Sequence, residues 1–134
     1  MNDKELAKHL GALEGETRKN PSAATKADFA LAVANISSDN NSVKREASRV
    51  VGNLAETFAN DLDEAIAKLL ANTSDDGTVV RWSAAYALGR IIMLPKYANS
   101  DLLEKVAKLA DAEDENGIKN QYLAGLKKAA KLLK

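Results

Sequence analysis

The 134-residue chain has no cysteine, which excludes disulfides, thiolate metal sites and a cysteine nucleophile. Proline occurs only at Pro21 and Pro95, and both positions read as helix boundaries. Aromatic residues are scarce. The six are Phe29, Phe58, Trp82, Tyr86, Tyr97 and Tyr122, and the Ala- and Leu-rich remainder suits close helix packing better than strands. Apolar runs such as Ile91-Ile92-Met93-Leu94 are far too short to cross a bilayer. Met1 to Leu6 carry no apolar h-region, so a soluble cytoplasmic protein without a secretory signal is expected. No charge predominates: 19 basic residues balance 19 acidic ones, which argues against a dedicated nucleic-acid coat.

Catalytic signatures are missing as well. No Gly-rich phosphate loop, Ser-centred elbow or HExxH motif occurs. The single histidine, His9, lies beside Lys8 and Leu10 in the first helical segment and reads as a surface residue. The carboxylate groups Asp75-Asp76 and Glu113 to Glu115 fall in turns. The chain is therefore expected to be non-catalytic, with no metal and no cofactor.

What is present is repetition. Val43-Lys44-Arg45-Glu46-Ala47 aligns with Val80-Arg81-Trp82-Ser83-Ala84 and with Ile118-Lys119-Asn120-Gln121-Tyr122, at spacings of 37 and 38 residues. Val51, Leu88 and Leu126 then coincide, as do Gly52 with Gly89 and Leu54 with Ile91. A fixed period of this length implies stacked supersecondary units, none able to bury its apolar face alone.

Helical spacing runs throughout. Leu6, Leu10 and Leu13 define a first helix in residues 1–20. Asn20-Pro21-Ser22 reads as the start of the next, and three helical pairs follow over 22–58, 61–94 and 99–134, in one domain spanning 1–134. Asp61 and Ser100-Asp101 are candidate helix starts. Asp39, Asp76 and Asp114 each precede the leading apolar residue by four and are expected to cap the repeated helix. Lys44, Arg81 and Lys119, five residues on, are expected to pair with that Asp or with the neighbouring repeat's.

The run from Asp76 to Gly89 resembles the second helix of a HEAT repeat, in which an Asp precedes a Val-Arg pair followed by Ala, Ala, Leu and Gly. Asp39 to Gly52 is similar. The third copy departs from the pattern, with Tyr122 for the small Ala and Lys127 for the Gly. The resemblance covers residues 22–134, with residues 1–20 as an N-terminal cap helix. It implies an all-α, right-handed α-α superhelix of about seven helices. The period is shorter than the roughly 40–47 residues usual for such repeats, which suggests a compact bacterial- or archaeal-type array.

Rotating each repeated helix by about 100° per residue puts Val80, Ala84, Ala87, Leu88 and Ile91 on a buried side. Offsets 2, 6, 9 and 13 point away from it: Trp82, Tyr86, Gly89 and Met93, with Arg90 alongside; Arg45, Arg49, Gly52 and Glu56; Asn120, Ala124, Lys127 and Lys131. The resemblance implies that second helices line a groove. Arg45, Arg49, Trp82, Tyr86, Arg90, Met93, Lys127 and Lys128 are the candidate partner-binding residues, because Trp, Tyr, Arg and Met are enriched at interface hot spots. Trp82 can equally fold into a crevice between adjacent second helices.

The windows 43–54, 80–91 and 118–129 hold eight basic residues against the single acid Glu46. Such a face suits an acidic partner protein, and a protein-interaction scaffold is the function expected. The competing reading is a HEAT-like nucleic-acid binder using the same basic face. A monomer is expected, or a weak dimer through the last helix, where Leu123 and Leu132 have no further helix to cover them.

Overall fold

The computed structural model describes residues 1–133; Lys134, the last of the tail lysines, lies outside them. Among the described residues the chain forms seven α-helices and no strand. They are α1 (Asp3–Lys19), α2 (Lys26–Asn35), α3 (Asn41–Leu54), α4 (Asp63–Asn72), α5 (Thr78–Ile91), α6 (Asp101–Ala112) and α7 (Asn116–Leu132), with a 3-10 turn at Pro21–Ala23.

The helices form two layers. α1, α3, α5 and α7 pack side by side in chain order, and α2, α4 and α6 each lie against the helix that follows. The first helix thus continues the layer of repeated helices, a place its sequence foreshadows. Leu6, Leu10, Leu13 and Thr17 stand 37 residues before Val43, Ala47, Val50 and Leu54. Of these eight all but the half-buried Leu6 are buried.

One core runs the length of the array, from Leu10 through Val43, Ala47, Val51, Leu88 and Ile91 to Ile118 and Tyr122. The alanines let neighbouring helices approach, and glycine brings them closer still. A methyl group on Gly52 would lie 3.0 Å from Ala87 Cα, and one on Gly89 would lie 2.6 Å from the Gln121 carbonyl oxygen. Gly52 and Gly89 are therefore buried at helix crossings rather than pointing away from the packed side. Offset 9 faces sideways, toward the next helix of the same layer.

Several expected boundaries move. Pro21 starts a 3-10 turn, and α2 begins later behind a capping box in which Thr25 and Asp28 exchange side chain–backbone bonds. Asp61 caps nothing, because Leu62 occupies the N-cap of α4. Asp39, Asp76 and Asp114 are not the caps either. Asn40 caps α3, Gly77 stands at the N-cap of α5 without a side-chain bond, and Glu115 accepts from Gly117 N–H at α7.

The ion-pair ladder forms at two of its three expected rungs, through the acid one residue earlier. Lys44 Nζ donates to Asp75 Oδ2 at 2.8 Å, and Arg81 Nε donates to Glu113 Oε1 at 3.2 Å. Lys44 and Arg81 thus tie their helices to the loop entering the next repeated helix, whereas Lys119 makes no ion pair among the described residues. The Lys44 hydrogen bond, with one from Gly77 N–H, holds the Asp75 carboxyl below its ordinary range. Burial pushes the Glu113 carboxyl up, but bonds from Glu115 N–H and Arg81 outweigh it and leave the pKa lowered.

Candidate partner-binding face

The face of the α1/α3/α5/α7 layer turned away from the outer helices carries a chain of stacked side chains. The Trp82 and Tyr86 rings, one turn apart on α5, lie 5.4 Å apart and within 13° of parallel. The Arg49 guanidinium of α3 sits 4.7 Å over Trp82, and that of Arg90 sits 4.5 Å over Tyr86. Each contact places a delocalised cation against a π-face, an arrangement worth about 0.5–1 kcal/mol at exposed sites. The two rings are half-buried, and Arg90 is exposed.

A polar network fixes this stack from beneath. Tyr86 Oη donates to Asn53 Oδ1 at 2.5 Å, and Asn53 Nδ2 donates to the Glu14 carboxylate at 3.0 Å and to the Thr17 hydroxyl at 3.2 Å. Arg49 Nε donates to Ser83 Oγ at 3.0 Å. Burial lowers the pKa of the Arg49 guanidinium, partly offset by Glu46, and it stays a cation at neutral pH. Three helices, α1, α3 and α5, are thereby locked behind the rings. Trp82 accordingly combines both expected placements: it packs across the α3–α5 seam while one part stays open.

The eight candidate residues divide. Arg49, Trp82, Tyr86 and Arg90 are contiguous. Met93 and Lys128 join Tyr86 and Arg90 around a notch of about 120 Å³ between α5 and α7. Arg45 stands apart, lining a cleft at the N-terminal ends of α3 and α5, with its Nε 3.3 Å from Glu46 Oε1. Lys127 is exposed on α7 and does not line the notch.

The structure adds residues that the face-by-face count passes over. Val79, 47% exposed, joins Trp82, Arg49 and Ile118 around a second cleft of about 350 Å³. Asn53 anchors Tyr86, and its signal was its place in the repeat, 37 residues before Arg90. Among the described residues no group of three or more His, Asp or Glu is placed to hold a metal ion, and no helix is long and apolar enough to cross a membrane.

Two stacked layers of paired helices, joined by recurring glycine crossings and ion pairs, define an all-α repeat solenoid of the ARM/HEAT kind. Residues 15–127 match the family model described as "Tubulin-specific chaperone D-like, ARM repeats". The chain belongs to that family. No curated protein and no solved structure gives a match.

Proposed function

We propose that this chain is a non-catalytic interaction module that holds a segment of another protein, acidic in character, against the open face of the α1/α3/α5/α7 layer. Arg49, Trp82, Tyr86, Arg90, Met93 and Lys128 form the centre of the contact, with Arg45 and Lys127 at its margins. Membership of an ARM-repeat family supports a protein partner in general terms. The observation that carries the reading is the pre-ordered Arg49–Trp82–Tyr86–Arg90 stack. Rings held by a hydrogen-bonded base lose little side-chain entropy when a partner arrives, and that saving favours binding.

The charge pattern favours acidity. α5 and α7 contain Arg81, Arg90, Lys119, Lys127, Lys128 and Lys131 and not one carboxylate. Trp82, the only tryptophan, reports on this face directly. The test compares affinity capture from the native host by the wild-type chain and by Trp82→Ala and Arg90→Glu variants. Circular dichroism confirms that each variant is folded. A partner retained by wild type and lost by both variants supports the reading, and equal retention by all three contradicts it.

A further inference from the structure

The α5–α7 valley has two unlike ends, and their separation specifies a ligand. α5 and α7 lie side by side in one layer, and Gly89 and Gly125 bring their backbones into contact at the crossing. At the N-terminal end, Val79, Trp82 and Ile118, with Arg49, Thr78 and Glu115, line the cleft of about 350 Å³. At the other end, Arg90, Lys128 and Gln121 surround the notch of about 120 Å³, with Met93 and Tyr86 alongside.

The apolar part of the first end is Val79, open to solvent, with the Trp82 ring and Ile118, while Arg49, Thr78 and Glu115 complete its rim. The second end presents two cations. Neither Arg90 nor Lys128 is within ion-pair distance of a carboxylate among the described residues. Along α5 from Val79 to Arg90, and along α7 from Ile118 to Lys128, the rise is about 15 Å at about 1.5 Å per residue.

We propose that this valley reads an extended protein segment at two points: an aliphatic or aromatic side chain in the Val79–Trp82–Ile118 cleft, and a carboxylate in the Arg90–Lys128 notch. At about 3.3 Å per residue for an extended chain, the carboxylate follows or precedes the apolar residue by about five positions. The inference rests on the open face being the binding face and goes on to fix the occupant. The apolar contact supplies area, and the charge pair sets register. The outer-layer cleft of about 450 Å³ between α4 and α6 is the larger cavity, but its rim mixes Asp63 and Asp101 with Lys105 and favours neither sign of partner.

The full-length chain, immobilised, is used to select peptides from a random twelve-residue display library. Selected peptides are then synthesised and titrated against the soluble chain, following Trp82 fluorescence. The expected pool pairs an apolar residue with Asp or Glu about five positions away. Such peptides should change Trp82 emission, and Arg90→Glu and Lys128→Glu should each weaken them about fivefold, as for exposed ion pairs. Val79→Ser should weaken them while leaving the salt dependence intact, because it removes apolar contact without adding a charge.

Peptides that change Trp82 emission but show no acidic residue at that spacing, or bind the two charge variants normally, overturn the two-point inference alone. A selection whose peptides all leave Trp82 emission unchanged overturns both it and the binding face on which it rests.

Discussion

Gly89 and Gly125 touch backbone to backbone: a methyl group on Gly125 would land on the Gly89 carbonyl oxygen. Their counterparts one repeat earlier, Gly52 and Ala87, meet in the same way, with Ala87 Cα 3.0 Å from a methyl built on Gly52. The spacing of the layer is therefore set by backbone contact, and there is no flexible side chain at the Gly125 crossing to give way.

Gly125→Ala should destabilise the chain by about 1–3 kcal/mol, the usual cost of forcing atoms into a packed seam. Gly15, within α1 one turn before its end, offers the control, since a methyl there meets nothing within 4 Å. Gly15→Ala should stabilise by about 0.5–1 kcal/mol through helix propensity. Urea denaturation of both variants checks the pair of signs.

The ladder pairs should be visible in the acid limb of stability. Asp75 and Glu113 both have lowered pKa values in the folded chain. Their contribution is present above the unfolded carboxylate range, near pH 4, and is lost as the pH falls through the folded values. Asp75→Asn should cost about 1–2 kcal/mol at pH 7 and should flatten the fall in stability below about pH 4. An acid limb as steep as that of wild type would contradict the assignment.

Tyr122 should govern the alkaline limb. Burial pushes its phenol up to about 12, with Glu113 raising it and Arg81 opposing. A raised folded value means that its contribution is intact below about pH 10 and declines as the pH rises toward the folded value. Tyr122→Phe should keep its stability over that interval better than wild type does. Tyr122→Ala restores the small residue of the first two copies yet should cost about 3–5 kcal/mol, because the surroundings have grown around a ring. Thermal melts at pH 7 and pH 11 check both variants.

The repeat period made the stacking legible because every copy must solve the same packing problem. Val43, Val80 and Ile118 are all buried, and the basic residue after each of the first two binds the following loop. The pairing acid was misplaced by one residue for a physical reason. A carboxylate at position 75 or 113 reaches back to the previous helix while also accepting from a loop N–H, as Asp75 does from Gly77 and Glu113 from Glu115. Asp76 and Asp114 are exposed. Gly52 and Gly89 were assigned to the open side because a helical wheel knows a helix's own partner and not its lateral neighbour.

The candidate face was legible in part. Trp82, Tyr86 and Arg90 followed from their offsets on α5. Arg49 sits over Trp82 and Asn53 under Tyr86 because side chains from α3 reach across the seam to α5, which a single-helix projection does not register.

The most direct test of the account maps a bound peptide on the full chain by backbone amide chemical shifts. The account predicts that perturbations gather around Val79, Trp82, Tyr86 and Arg90 on α5 and Ile118 to Lys128 on α7. Perturbations gathered instead around Ile66, Leu70 and Leu102 in the outer layer, with α5 and α7 unmoved, would contradict it.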